Sequence, residues 1–252
     1  MHVLDNPVWH ALVGPQRAFG RATDLAARFD EDVARFGALA NGPDSDTAWQ
    51  DLGQLLGPKG TVELMGDLSD PPPGWTVIDR LEGVQMVGDG VETVHAGADA
   101  RPGPRVPPAT RAVSASLLAD TLASTLVPLR TANVPEMLAL VKAAQPGPFE
   151  RRTVELGSYL GVRIEGHLVA MAGERIRPPG YAEISAVATH PDYRRLGLAR
   201  QVVRGVADNI IRRGDTPCLH VLARNTGAIH LYESLGFTIR RRLTFLCLEA
   251  PG

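Results

Sequence analysis

In the stretch AVATHPDYRRLGLARQVV, residues 186–203, an alternating apolar segment breaks at His190-Pro191, and two arginines follow at 194 and 195. Gly197 and Ala199 then open a helix rich in valine. A helix that starts here leaves its first amide donors without partners inside the helix, and two small residues keep no bulk over them. The helix dipole adds partial positive charge at the same end. Strand, turn and helix start in this order make a seat for a phosphate or diphosphate, with Arg194 or Arg195 supplementing the charge. An ordinary tight turn before a helix is the plain alternative.

The rest of the chain bounds what such a seat could serve. Its 252 residues favour one large or two modest domains, and a formal charge of -2 with mixed signs argues against a nucleic-acid binder held by phosphate attraction. Anionic ligands must therefore be met locally. Cys218 and Cys247 lack metal-ligand or redox spacing and read as buried thiols of a reducing cytoplasm, and no metal site is expected. The amino terminus does not show the order of a signal peptide, and no apolar run is long enough for a membrane span. A cytoplasmic protein without membrane or nucleic-acid partners is the expectation.

Along the chain, proline and glycine crowd between residues 97 and 110, and a short helix is predicted at 114–125. This divides the sequence into an amino-terminal α/β unit at 1–96, a linker with its helix at 97–125 and a second domain at 126–252. In the first unit, Leu25, Phe29, Val33 and Phe36 have helical spacing over Arg21 to Ala40, and residues 44–57 read as a capped helix. Strands are predicted at 61–66, 75–80 and 83–88, and Trp9, Trp49 and Trp75 as core. From residue 126 onward the pattern reads strand, helix, a hairpin turning at Glu165-Gly166-His167, a strand at 181–189, a long amphipathic helix ending at Gly214, a strand, a helix and a closing strand. The fold class expected is α/β (α+β), with a mixed, mostly antiparallel sheet flanked by helices.

Arg194-Arg195-Leu196-Gly197-Leu198-Ala199 resembles the acyl-coenzyme A signature of the GNAT N-acetyltransferase superfamily, and the resemblance extends over about residues 126–248. It includes the AEISAVATHPDYR segment and the pattern formed by Asn225, Ala228, Tyr232, Gly236 and Phe237. The order of strands and helices in the amino-terminal unit, and nothing else, allows it to be a degenerate copy of the same half-fold. The resemblance implies that strands 182–189 and 217–223 splay apart and that the pantetheine of acetyl-CoA pairs with main-chain groups of Ala186, Val187, Ala188 and Thr189. It further implies that the diphosphate lies on the amides of Arg195, Leu196, Gly197, Leu198 and Ala199, and that Asn225 contacts pantetheine beside Ala228. Leu196 departs from the family habit of a basic residue or glycine there.

The same resemblance implies that Tyr232 protonates the departing thiolate. Acyl transfer to an amine needs a neutral nucleophile, a polarised thioester carbonyl and a proton for sulfur, and a phenol in a dry pocket supplies the last of these. A core-facing aromatic is the alternative for Tyr232. Glu183 is the candidate base, on a strand face shared by alternation with Ser185, Val187 and Thr189; a solvated strand residue is the alternative. His190 and His220 rank behind it. Arg240-Arg241-Arg242 reads as a solvated run, and Pro178-Pro179-Gly180 as a loop that could shape the acceptor side.

The function expected is transfer of an acetyl group from acetyl-CoA to an amine-bearing acceptor, small molecule, peptide or protein, with a homodimer allowed for. A non-catalytic acyl-CoA-binding or sensing module is the alternative, and a protein whose amino-terminal part recruits a partner is a third.

Overall fold

A computed structural model describes residues 2–92 and 125–252. The expected helix at 114–125 and almost all of the linker therefore lie outside the described residues. The amino-terminal segment runs from helix α1 (Pro7–Leu12) through three short strands, β1 (Gly20–Ala22), β2 (Ala26–Phe29) and β3 (Gly37–Leu39), to helix α2 (Asp46–Leu56) and strands β4 (Thr61–Gly66) and β5 (Thr76–Val87). After residue 125 follow β6 (Val127–Leu129), α3 (Val134–Ala144), β7 (Tyr159–Ile164), β8 (His167–Glu174) and β9 (Tyr181–Thr189). Helix α4 (Leu198–Arg212), β10 (Thr216–Leu222), α5 (Thr226–Glu233) and β11 (Thr238–Glu249) complete the chain.

One eight-stranded sheet, ordered β4-β11-β5-β10-β9-β8-β7-β6, organises the molecule. All of its neighbouring pairs are antiparallel except β9 with β10, which agrees with the mixed, mostly antiparallel sheet expected. Strand β5 comes from the amino-terminal segment yet lies hydrogen-bonded between β10 and β11 of the carboxy-terminal one. The segments on either side of the proline-rich stretch thus share a sheet, where the sequence suggested two separate units. Their contact is also polar: Arg240 donates to Asp5 at 2.6 Å and to Gln85 at 2.7 Å, so part of the arginine run expected in solvent ties the amino terminus down.

Helices cover both faces. Helix α4 turns Leu198, Val202, Val203, Val206, Ala207 and Ile210 inward, and they pack with Val84, Met86, Ile184, Leu219 and Val221 of the sheet. Apart from Ala207, each of these side chains contributes roughly 1.5–3 kcal/mol by leaving water. Helix α2 extends this layer over Val62, Leu64, Leu246 and Leu248, capped by Ser45 and stopped at Gly57. On the opposite face, α3 packs Met137 and Leu140 with Met171, Ala186 and Ala188. There α1 and the β1–β3 meander join Phe29, Val33 and Phe36 to Leu243 and Phe245. Among the described residues no helix is long and apolar enough to cross a membrane.

The helix expected over Arg21 to Ala40 is not formed. Phe29, Val33 and Phe36 meet across the hairpin loop between β2 and β3, where the Phe29 amide donates to the Phe36 carbonyl at 3.0 Å, while Leu25 packs beside α2, so the spacing of about four arises across a loop and not around a helix. The two strands expected at 75–80 and 83–88 are one continuous strand, β5, paired along its length with β11, and the Phe245 ring packs over Gly83, where a Cβ would lie 2.3 Å from a ring carbon. Trp49 is buried, whereas Trp9 and Trp75 are half-buried at the edges of their clusters.

Candidate active site

Strands β9 and β10 pair only from Thr216 with Tyr181 to Cys218 with Glu183, then part. Beyond that point their facing edges have lost each other as partners, and main-chain donors and acceptors there are free to meet a ligand of peptide-like character. The parting coincides with a bulge in β9. Ser185 lies opposite Gly173 and Ala188 opposite Met171, so Ala186 and Val187 together face a single residue of β8, and Ala186 takes φ 51°. One extra residue reverses the strand's faces. Ala186 and Ala188 pack with α3, while Val187 joins the α4 side that Ile184 occupies before the bulge. Glu183 therefore does not share a face with Val187 and Thr189, as simple alternation suggested.

A cavity of about 930 Å³ passes through this opening. Val221, Ile184, Leu198 and Tyr232 from the α4 core form part of its wall, and Phe36, Leu81, Leu222 and Phe245 from the α1 core form another part. At its α4 end the loop before the helix has Arg195 at φ 65° and Gly197 at φ 82°, and the first helical bond runs from the Gln201 amide to the Gly197 carbonyl. The amides of Leu198, Ala199 and Arg200 come before that bond and point out of the helix end. Arg194, Arg195 and Arg200 stand around them on the cavity wall. The arrangement is an anion seat with arginines beside it, of which Arg200 donates to Ser234 Oγ at 2.6 Å and Arg194 to the Ala144 carbonyl at 3.4 Å.

Every expected site residue lines this cavity except two. Ala186, Val187, Ala188 and Thr189 form the β9 edge; Arg194, Arg195, Gly197, Leu198 and Ala199 form the loop and helix start; Asn225, Ala228 and Tyr232 come from α5 and its cap. Thr189 presents a buried hydroxyl with no partner among the described residues, an acceptor and donor that a ligand's amide could satisfy. Leu196 is outside the wall and packs against the α4 core, because its side chain is apolar and the loop turns it inward. Asn225 also does more than expected: its Oδ1 accepts from the Ala228 amide at 3.2 Å and caps α5.

Glu183 is the second exception and a clear correction. Its carboxylate is 1% exposed and accepts from Arg175 Nε at 3.0 Å, Arg175 Nη2 at 2.8 Å, the Ile176 amide at 3.3 Å and, with the Nδ1-protonated tautomer, His220 at 2.8 Å. Burial alone would raise its pKa, but the Arg175 charge and the hydrogen bonds from His220 and Arg175 outweigh it and hold the pKa down to about 2. A carboxylate with both oxygens engaged twice and so weakly basic does not take a proton from an ammonium. His220 lies between Glu183 and Gln85 Nε2, 2.9 Å from its other ring nitrogen, and reaches the cavity wall. His190 stands half-buried in its loop with Nδ1 3.4 Å from the Asp192 amide.

Tyr232 is 7% exposed, edge-on to Phe237 with ring centroids 6.1 Å apart, and burial pushes its phenol up to about 12. A phenol held neutral at the cavity wall can give a proton to a developing anion without ionising beforehand. Cys218 is buried as expected; Cys247 is half-buried and lines the cavity. The proline pair at 178–179 does not reach it. Sequence reasoning missed the other half of the wall: Phe36, Glu63, Ile78, Asp79 and Leu81 of the amino-terminal segment, with Arg175 behind them. One signal was available, the single charge of Glu63 within the apolar strand TVELMG.

Comparison with known proteins agrees with this geometry. The family described as FR47-like protein matches residues 159–246. A [ribosomal protein bS18]-alanine N-acetyltransferase of Escherichia coli strain K12 is 33% identical over 127 residues, which are 47% of this chain and 85% of that protein. A crystal structure from the GNAT acetyltransferase family of Novosphingobium aromaticivorans is 38% identical, with TM-score 0.81 over 100% of both chains. A GCN5-related N-acetyltransferase from Kribbella flavida shares the fold at TM-score 0.59 and 17% identity, over 96% of this chain and 93% of that one.

Proposed function

Since the chain belongs to the GNAT family of N-acetyltransferases, we propose that its acetyl transfer takes place in the cavity between β9 and β10, with acetyl-CoA as the donor and a primary amine as the acceptor. The observation that carries the proposal is the parting of the two strands beside an anion seat, with Tyr232 on the wall between them. The residues fit the donor: a strand edge free for the pantetheine amides, an orphaned Thr189 hydroxyl, and exposed helix amides with Arg194, Arg195 and Arg200 for the diphosphate.

Each group then has one task. The amides of Leu198, Ala199 and Arg200 hold the phosphate charge through the helix dipole. Main-chain groups of Ala186 to Thr189 fix the pantetheine arm, which places the thioester beside the bulge, and orientation of this kind removes much of the entropic barrier to attack. When the amine attacks, Tyr232 passes its phenolic proton to the departing sulfur and regains one from solvent. Glu183 and Arg175 act on none of these atoms; their pair closes the floor where the strands part.

The relative from Escherichia coli acetylates an alanine amine of a ribosomal protein, so peptide amino termini belong in any acceptor screen. A panel of primary amines, amino acids and short peptides, followed by thiol release and by mass of the product, tests the proposal. Equimolar thiol and acetylated amine are expected for at least one class. Tight acetyl-CoA binding with no product from any amine would favour the binding-module reading instead.

A further inference from the structure

The half of the cavity built by the amino-terminal segment contains a carboxylate that the steps above leave idle. Glu63 on β4 pairs with Cys247 on β11, and Cys247 in turn pairs with Asp79 on β5. All three line the cavity, so they form a row across three adjacent strands on the face opposite α4. The Glu63 carboxylate has no hydrogen bond or ion pair among the described residues. Its nearest cations are already committed: Arg175 pairs with Glu183 at 2.8 Å with its guanidinium carbon 4.4 Å from the Phe36 ring centroid, and Arg35 pairs with Glu150 at 2.6 Å. Asp79 adds a second negative charge, its Oδ1 accepting from the Arg80 amide at 2.8 Å. Around the row the wall is apolar, with Phe36, Leu81 and Phe245.

We propose that Glu63 receives the acceptor's ammonium group and removes its proton, which makes the acceptor a primary alkylammonium ion whose aliphatic stem lies against Phe36, Leu81 and Phe245. The proposal rests on the acetyltransferase reading of the same cavity. A carboxylate without a protein partner beside apolar walls binds a cation more strongly than one in open water, because less solvent competes. Burial also raises the Glu63 pKa, with Glu183 and Asp79 acting in the same direction and Arg175 and Arg35 against it, which makes it a better proton acceptor than a solvated carboxylate. Cys247 and His220 complete the polar groups on this wall.

The protons balance. Glu63 takes one from the ammonium, the nitrogen lone pair forms the new bond to the acetyl carbon, and the carbon–sulfur bond breaks. The nitrogen loses its second proton as the amide forms, Tyr232 protonates the sulfur, and one proton in all leaves for solvent.

The test uses the full chain with acetyl-CoA and two amines, n-propylamine, cationic at neutral pH, and aniline, neutral there. Glu63→Gln is expected to lower kcat/KM for propylamine about 100-fold, to remove the acid limb of its pH profile, and to reduce the aniline rate by less than about tenfold. Acetyl-CoA affinity stays within twofold, and Glu63→Asp recovers part of the loss. Equal losses on both amines, or a propylamine rate and pH profile that do not change, would overturn the role. The wild-type protein supplies a check that needs no variant. It should prefer propylamine over β-alanine by at least about tenfold, since the added carboxylate faces Glu63 and Asp79, and parity would count against the proposal. A wild type that acetylates no amine sinks the acetyltransferase reading itself, whereas an active wild type matched by Glu63→Gln sinks only the assignment of Glu63.

Discussion

Two glutamates at the opening of the sheet show how surroundings decide what one side chain does. Glu183 has every lone pair engaged and a guanidinium against it; Glu63 has neither. Removing the Glu183 charge leaves Arg175 buried and unpaired, so Glu183→Gln should destabilise the fold by about 3–5 kcal/mol, read as a lowered midpoint in urea. The same group sets an acid limit. Its folded pKa of about 2 lies below the ordinary glutamate value of 4.5, so its stabilising contribution is complete above about pH 4.5 and is lost as the pH falls toward 2. Urea midpoints taken between pH 6 and pH 3 should fall for the wild type and fall less steeply for Glu183→Gln. A parallel fall in both would remove Glu183 as the cause.

At the scale of elements, the bulge in β9 and the left-handed loop before α4 make the site, and both depend on backbone conformation. Gly197 has φ 82° and open space where a Cβ would go, so Gly197→Ala meets no clash and carries only the conformational penalty, about 1–2 kcal/mol. Acetyl-CoA affinity should weaken about tenfold, with a small drop in Tm; unchanged affinity by calorimetry would detach the loop from the donor. Much at this scale was legible in the sequence. The strands at 61–66 and 181–189 and the turn at Glu165-Gly166, where both residues have positive φ, follow from alternation and turn chemistry within a few residues. The helix expected over Arg21 to Ala40 failed because apolar spacing does not distinguish one helix face from the two arms of a short hairpin. The bulge at Ala186 was illegible for a related reason: it shows only in the pairing with β8, and no glycine or proline in β9 marks it.

For the molecule as a whole, the insertion of β5 between β10 and β11 is the fact least accessible to sequence, since it joins residues more than a hundred positions apart. It makes both segments parts of one sheet and one cavity, with the donor seat from one and the facing wall from the other. A chain beginning at residue 125 would expose the edges of β10 and β11 that β5 covers. It should lack cooperative thermal unfolding and dispersed amide resonances; a well-folded fragment with full acetyl-CoA affinity would contradict the shared sheet. In the proposed mechanism, acetyl transfer in this cavity turns on Tyr232 giving the departing sulfur its proton. Measuring kcat and acetyl-CoA Kd together for Tyr232→Phe tests it most directly: kcat should fall about tenfold or more with Kd within twofold. Turnover equal to the wild type would contradict it.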